Sequence, residues 1–261
     1  MFSGRHTWCF VVLNLLLLAA CIVTAFGQET VFYFLNHQVG RLLPDTLWKN
    51  LTALGDTLVA LAILAPFLLR HPKLSGNVLL TIILASVSVH VLKNYFHFLR
   101  PAAVLPLNTF HVIGPLYQKG SFPSGHAATI FALAMIMTQN TSKKWIKLLL
   151  IIVAFVVALS RVMVGAHWPL DIIVGAAIGI GASAFGLAAG RYLQNQYLER
   201  YFPLALSPTV VALFFYPTPY DLRLETFTLG ILLLFCSVQP FMALANDAQV
   251  QWALFRRGPR P

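Results

Sequence analysis

The chain has 261 residues, of which 58% are hydrophobic and only 10% are charged. Ordinary soluble domains carry roughly 25% charged residues, so this composition excludes a soluble globular protein and indicates a membrane protein. The formal net charge of +10 would suggest nucleic-acid binding in a soluble protein. In a membrane protein the distribution of these charges among the loops instead indicates orientation in the membrane, and we expect no nucleic-acid partner.

Six apolar runs are long enough to be membrane-spanning helices, because a bilayer core of about 30 Å needs about 20 mostly apolar residues. They cover about 8–26, 51–69, 77–95, 124–140, 145–163 and 169–189, and weaker runs follow at about 203–217 and 226–244. The seventh run contains several prolines, so we expect it to span poorly, to kink or to form a re-entrant hairpin with the eighth. The predicted fold is all-α, a polytopic transmembrane bundle of six core helices with two C-terminal apolar segments.

These runs divide the chain into three regions. Residues 1–50 hold the first transmembrane helix and an outer loop, residues 51–190 form a membrane core of five helices, and residues 191–261 form a C-terminal membrane extension with a basic tail. If the N-terminus is cytoplasmic, most of the Lys and Arg residues fall in loops on the cytoplasmic side, as membrane proteins prefer. This distribution predicts that both termini are cytoplasmic. In this arrangement the ends of the third and fifth helices and the starts of the fourth and sixth reach one outer face.

The first polar cluster near the membrane edge is KNYFHFLRP, residues 93–101. Charged residues at this depth are costly in lipid and are therefore candidates for function. Lys93 and Arg100 are seven residues apart, so they project from one side roughly 10 Å apart if the third helix runs that far. Pro101 disfavours helical geometry at Arg100, which predicts that the helix ends near there.

The second cluster, PSGH at residues 123–126, opens the fourth helix. Pro123 suits a first helical turn, Ser124 offers a hydroxyl, and Gly125 lets an anion approach the backbone closely. Free N–H groups at a helix start and the positive end of the helix dipole together favour an anion site. The cluster therefore predicts that His126 lies beside a bound anion.

The third cluster, SRVMVGAHWPLD, covers residues 160–171. Arg161 brings a planar cation whose fork matches phosphate oxygens. His167 and Asp171 are four residues apart, so on a helical turn the carboxylate can hold one imidazole nitrogen and direct the other toward a target. This pair predicts an oriented base or nucleophile.

Together the three clusters predict phosphoryl-group chemistry. The cations and the helix-start N–H groups would stabilise the charge of a phosphoryl group, while one histidine attacks and the other protonates the leaving oxygen. The sequence contains no HExxH, Walker loop or paired acidic motif, so it offers no ligands for two-metal or nucleotide-loop chemistry. We therefore expect neither a metal nor another cofactor.

In their order and internal spacing, the clusters resemble the type 2 phosphatidic acid phosphatase family, whose signature reads K-x6-RP, PSGH and SR-x5-H-x3-D. The family also includes soluble acid phosphatases and vanadate-dependent haloperoxidases, and the spanning helices favour its membrane lipid-phosphatase branch. The resemblance implies that His167 forms a phosphohistidine, that Asp171 orients it and that His126 protonates the leaving group. It implies phosphate binding and supporting roles for further residues, which are Lys93, Arg100, Ser124, Gly125 and Arg161 for binding, and Pro123 and Ser160 for support.

The resulting hypothesis is an integral membrane phosphatase that acts on a lipid phosphate or diphosphate, with residues 51–190 as its catalytic core. The candidate substrates are undecaprenyl diphosphate, phosphatidylglycerol phosphate or phosphatidate, and a lipid A phosphate; family breadth alone narrowly favours the polyprenyl diphosphate. The topology and short loops favour a bacterial inner membrane with a periplasmic site. The alternatives are a lipid phosphotransferase that uses the same phosphohistidine and a non-catalytic headgroup binder or transporter. The sequence does not indicate an oligomeric state.

Two other histidines, His97 and His111, lie near the outer face and could line the pocket, although neither occupies a motif position. Lys119 is interpreted as a solvated loop charge, with attraction of an anionic headgroup as its alternative role.

Overall fold

Twelve α-helices form the protein in a computed structural model that describes residues 7–216, 220 and 222–256. They are α1 (Thr7–Phe26), α2 (Gln28–Phe34), α3 (Asp45–Ala53), α4 (Thr57–Arg70), α5 (Ser75–Phe96), α6 (Pro101–Val104), α7 (Gly125–Thr138), α8 (Lys144–Met163), α9 (Pro169–Ala189), α10 (Gln196–Leu206), α11 (Pro208–Ala212) and α12 (Arg223–Arg256). A π-helical turn follows α2 at Leu35–Val39, and short 3-10 turns join several of the helices. The described residues contain no strand.

Five of the described helices are long and apolar enough to cross a membrane, namely Trp8–Phe26, Pro72–Val104, Lys144–Met163, Pro169–Leu193 and Gln196–Phe215. A sixth span results if α3 and α4, which are bent by 59° relative to each other, count as one broken span. The apolar stretches Gly125–Gln139 and Thr228–Ala243 are shorter. The predicted all-α transmembrane bundle is confirmed, although the end of the predicted basic tail, residues 257–261, lies outside the described residues.

Three helix boundaries differ from the sequence prediction. The second span is broken between α3 and α4, where the Asp56 side chain accepts a hydrogen bond from the Leu58 N–H at 2.9 Å and caps the new helix. The third helix ends at Phe96 and not near Arg100, because His97 adopts a left-handed conformation with a φ of 50°. The seventh run is divided at Ser207, directly before the Pro208 that begins α11.

The centre of the bundle is α7, which packs against α4, α5, α8 and α9. Its side chains Phe131 and Met135 are fully buried. α9 approaches α7 closely through Gly175 and Gly179, where a Cβ atom at Gly179 would lie 2.9 Å from the Ala132 nitrogen. Small residues four positions apart allow such close helix contacts in membranes, so this contact fixes α9 against the start of α7.

The loop between α6 and α7 lies over one end of the bundle and connects the helix ends there. The Ser121 N–H donates to the Phe98 carbonyl at 3.0 Å, and the Ile113 N–H donates to the Val164 carbonyl at 3.2 Å. The Trp168 indole N–H donates to the Leu99 carbonyl at 2.9 Å. These bonds bring the chain after α5, the chain before α7 and the α8–α9 connection to one place.

Candidate active site

His167 and Asp171 form a buried pair at the start of α9. Nδ1 of His167 lies 3.1 Å from Oδ2 of Asp171, and each residue is 2% exposed. Because an ionised carboxylate only accepts hydrogen bonds, Nδ1 carries the proton and Nε2 presents its lone pair on the opposite edge of the ring. The imidazole is thus held in the tautomer that a nucleophile needs.

Asp171 is itself held by two further donors. Its Oδ2 accepts hydrogen bonds from the Ser121 hydroxyl and, at 2.9 Å, from the Trp168 N–H. Ser121 is fully buried. A carboxylate that several donors fix in place restricts the imidazole bonded to it, so Ser121 and Trp168 act on His167 through Asp171.

The environment of His167 favours its neutral form. Burial lowers the pKa of His167 well below its ordinary value, and the nearby charges of Arg100, Arg161 and Lys93 lower this pKa further. A hydrogen bond with the Ser121 backbone acts in the opposite direction. The ring is therefore neutral, and able to attack, at neutral pH.

Ser124 and Gly125 lie where α7 begins, against the start of α9. Ser124 caps α7 by accepting the Ala127 N–H at 3.4 Å, and its own N–H donates to the Asp171 carbonyl at 2.9 Å. His126 follows in the first turn and is within electrostatic range of His167. Pro123 is buried directly before the helix. The second and third clusters of the sequence therefore meet at two helix N-termini, where the dipoles favour an anion.

Arg161 is a buried cation at the end of α8. Its Nη1 donates to the Thr52 hydroxyl at 2.6 Å and to the Tyr220 hydroxyl at 2.9 Å. Its Nε is buried and has no hydrogen-bond partner within the described part of the chain. An unsatisfied buried donor is costly, so the guanidinium is suited to an oxygen acceptor supplied by a ligand. Neighbouring Ser160 donates to the Val157 carbonyl at 2.6 Å and thus faces its own helix.

Lys93 and Arg100 bind backbone carbonyls of the α6–α7 loop and of the α8–α9 connection. Nζ of Lys93 donates to the Gly120 carbonyl at 2.5 Å. The Arg100 guanidinium donates to the carbonyls of Lys119 at 3.0 Å, Ala166 at 3.0 Å and Gly120 at 3.3 Å. Both cations lower the pKa of His167, so they lie close enough to act on an anion at that ring.

Two cavities adjoin the site. The first, of about 240 Å³, is mainly apolar and extends between α4, α5 and α7 from Lys93 and Gly125 to Leu133 and Ile136. The second, of about 280 Å³, is polar and is lined by Ala53, Asp56, Tyr117, His126, Arg161, Tyr216 and Tyr220. A phosphate held between these cavities would have an apolar space on one side and a polar space on the other.

The structure brings the three sequence clusters together but separates the two additional histidines from them. His111 binds Asp45 at 3.0 Å and lines a different cavity, while His97 is an exposed helix-end residue. Sequence reasoning missed Ser121, although it lies in the polar stretch directly before PSGH. It also missed Tyr220, which no motif spacing could connect with Arg161.

Comparison with known proteins shows which family the chain is related to. The sequence profile of the PAP2 superfamily matches residues 75–194. An undecaprenyl-diphosphatase from Sulfolobus acidocaldarius is 30% identical over 185 residues, which are 67% of this chain and 87% of that protein. The crystal structure of Aquifex aeolicus LpxE matches with a TM-score of 0.55 and 32% identity over 62% of this chain and 94% of its own.

A transmembrane PAP2 type phosphatidylglycerolphosphate phosphatase from Bacillus subtilis also has this fold. Its structure matches with a TM-score of 0.50 and 19% identity, covering 71% of this chain and 98% of that protein. The fold is therefore found in membrane proteins, as the apolar helices of this chain require. The sequence matches establish that this chain belongs to the PAP2 superfamily, and its apolar helices make it a membrane member.

Proposed function

We propose that the protein hydrolyses a phosphate ester or anhydride of a lipid through a phosphohistidine intermediate on His167. One arrangement carries this proposal: a buried His–Asp pair lies among three cations and two helix starts, directly beside an apolar cavity. The histidine supplies a nucleophile, the cations suit a phosphate, and the apolar cavity suits a hydrocarbon chain.

In the first step, Nε2 of His167 attacks phosphorus. The P–N bond forms as the bond from phosphorus to the leaving oxygen breaks. Asp171 keeps the Nδ1 proton and stabilises the positive charge that develops on the ring. His126 lines the polar cavity beside Arg161, and burial lowers its pKa, so it takes up a proton together with the negatively charged substrate phosphate. It gives this proton to the leaving oxygen, and the lipid alcohol or lipid phosphate departs.

In the second step, water attacks the phosphohistidine. His126, now neutral, takes a proton from this water as the new P–O bond forms and the P–N bond breaks. Inorganic phosphate and neutral His167 result, so both histidines return to their initial protonation states.

The cations and the start of α7 hold the phosphoryl oxygens during both steps. We assign Arg161 to them through its unpartnered Nε, and Ser124 and Gly125 through the first turn of α7. Lys93 and Arg100 contribute the N–H donors that their carbonyl contacts leave free, since an ammonium has three donors and a guanidinium has five. Fixed donors aimed at developing charge are the main source of such catalysis. In the same proposal residues 51–190 are the catalytic core, and Pro123 and Ser160 support the helix ends around it.

The lipid enters from the bilayer, with its chain in the cavity between α4, α5 and α7. The excess of Lys and Arg in the loops predicted inside supports an inner membrane location with the site on the periplasmic face. The Sulfolobus acidocaldarius relative is an undecaprenyl-diphosphatase, and this supports a polyprenyl diphosphate among the candidate substrates.

The test is phosphate release by purified protein in detergent, with EDTA present, from radiolabelled lipid phosphates. We expect release by the wild type, inhibition by vanadate, and an acid-labile labelled protein after rapid quenching. His167→Ala should abolish both the labelling of the protein and the release of phosphate. His71→Ala, which changes an exposed histidine at the far end of α4, should leave both unchanged.

The products separate this function from its alternatives. Free phosphate supports hydrolysis, whereas label found on a second lipid would indicate a phosphotransferase. Binding of lipid with neither product, or release that requires an added divalent ion, would contradict the proposed reaction.

A further inference from the structure

The C-terminal segment contributes two tyrosines to the wall of the active-site region. Tyr216 donates to Oδ2 of Asp56 at 2.8 Å, and the Tyr220 hydroxyl accepts from Nη1 of Arg161 at 2.9 Å. Both tyrosines lie after the residues 75–194 that match the family profile. This part of the site is therefore built by a segment outside the shared core.

Tyr220 is fixed in place by the outer loop as well as by Arg161. It is 7% exposed, and its ring packs directly on Gly114, whose φ is 87°. A Cβ atom at Gly114 would overlap the ring. The absence of a side chain at this position thus makes room for a tyrosine from a distant part of the sequence.

The polar cavity behind these tyrosines has a definite pattern of donors and acceptors. Tyr220 accepts its bond from Arg161, so its own O–H proton is available to a ligand. Tyr216 donates its proton to Asp56, so its oxygen lone pairs are available. Asp56 accepts one bond at each carboxylate oxygen, from Leu58 and from Tyr216, and each oxygen can accept another.

This pattern suits hydroxyl groups and does not suit a second phosphate. Asp56 and Tyr216 accept protons that a hydroxyl can donate, and Tyr220 donates to a hydroxyl oxygen. A second phosphate beside the Asp56 carboxylate would meet like-charge repulsion. Arg161 also lines this cavity, but its Nη1 is bound to Thr52 and Tyr220 and its Nε is assigned to the reacting phosphoryl group. The volume of about 280 Å³ exceeds the roughly 30 Å³ that one water occupies in the liquid, so a group of several heavy atoms fits.

Adjacent residues divide this polar cavity from the apolar one. Asp56 and His126 line the polar cavity, whereas their chain neighbours Thr57 and Gly125 line the apolar cavity. A lipid with its chain in the apolar cavity therefore has its headgroup at this boundary. The group joined to the leaving oxygen reaches the polar cavity, since His126 lines that side.

We propose that the polar cavity is a headgroup subsite for an uncharged, hydroxyl-bearing group such as glycerol or a sugar, and that Asp56 and Tyr216 select it. The proposal rests on the proposed phosphatase function and narrows its substrate class. A lipid whose phosphate is joined to a group with a free hydroxyl, such as the terminal glycerol of phosphatidylglycerol phosphate or a sugar, fits the subsite. Phosphatidate has no free hydroxyl on its glycerol, and the leaving group of a polyprenyl diphosphate is a charged phosphate, so both fit the subsite less well.

The test compares kcat/KM for phosphatidylglycerol phosphate, phosphatidate with the same acyl chains, and farnesyl diphosphate. We expect Tyr216→Phe to lower the ratio of phosphatidylglycerol phosphate to phosphatidate activity about tenfold, the size of one hydrogen bond. Asp56→Asn keeps a helix cap, because Asn caps as well as Asp, but it removes the charge. It should lower the ratio of phosphatidylglycerol phosphate to farnesyl diphosphate activity about tenfold and raise the rate on farnesyl diphosphate itself.

The control is Tyr201→Phe, an exposed tyrosine of α10, which should change none of the three rates. Equal losses on all three substrates in the Tyr216 and Asp56 variants would show a merely structural role and overturn the subsite. Unchanged ratios would overturn it as well, while leaving the phosphatase function intact. Failure of the wild type to release phosphate from any of the three lipids would instead refute the phosphatase function.

Discussion

The Ser124 N–H donates a hydrogen bond to the Asp171 carbonyl at 2.9 Å. This bond joins the residue that caps α7 to the residue that orients His167. The helix start that we propose to bind the anion is therefore connected directly to the start of α9, which holds the proposed nucleophile. A shift of α9 relative to α7 would change the position of both groups together.

Loss of the Asp171 carboxylate should reduce activity more than loss of the Ser121 hydroxyl that donates to it. Asp171→Asn should lower kcat by about 100-fold or more, because an amide can hold the imidazole in the wrong tautomer. Ser121→Ala removes one donor to Asp171 and should cost about tenfold. Phosphate-release assays on both variants check this order, and a larger loss for Ser121→Ala would contradict it.

Arg161 should not be replaceable by lysine. Arg161→Lys keeps the charge but loses the planar fork whose Nη1 binds Thr52 and Tyr220 while Nε stays free for a phosphoryl oxygen, so kcat/KM should fall about 100-fold or more. Arg70→Lys is the matched control, because within the described part of the chain Arg70 binds its own helix at Pro66, at the end of α4 away from Asp56. Similar rates for Arg161→Lys and wild type would show that a point charge is sufficient.

In a plot of kcat/KM against pH, the fall in activity on the acid side should occur below the ordinary histidine pKa of about 6.5. We call this fall the acid limb. His167 attacks in its neutral form, and burial followed by Arg100, Arg161 and Lys93 lowers its pKa, so protonation inactivates it only at lower pH. The lowered pKa of His167 also makes the folded protein more stable above about pH 6.5 than below it. At lower pH the unfolded chain binds a proton at His167 more readily than the folded protein does.

The charge of Lys93 provides a check on this profile. Lys93→Met should reduce kcat/KM and move the acid limb to higher pH, because it removes a cation that disfavours protonated His167. The control Lys49→Met removes a lysine of α3 and should have neither effect. A limb that moves to lower pH in Lys93→Met would contradict this electrostatic account.

Glycines of α9 should be replaceable on the face that points away from α7, but not on the face that packs against α7. Gly179→Leu would drive a side chain into the backbone of α7 at Ala128 and Ala132, so it should destabilise the protein by at least about 1–3 kcal/mol. Gly181→Leu meets open space and should be neutral. Thermal unfolding in detergent measures both, and equal melting temperatures would refute this view of the contact.

The spanning helices and the three clusters could be predicted from the sequence because both are local patterns. Apolar length predicted the helices, and fixed spacing placed His167 four residues from Asp171. The end of α5 could not be predicted, since the left-handed conformation of His97 depends on the loop that packs beyond it. The contacts of Arg161 with Thr52 and Tyr220 could not be predicted either, because residues more than 50 positions apart meet only in the tertiary fold.

The carbonyl contacts of Arg100 have a consequence for how a ligand enters. Each of the three guanidinium nitrogens already holds an oxygen of the chain itself, at Lys119, Gly120 and Ala166. A guanidinium has five N–H donors, so one N–H on each Nη remains for an incoming phosphoryl oxygen. Arg100 can therefore keep its hold on both chain segments while it binds a ligand, and capture of a phosphate requires no rearrangement of either segment.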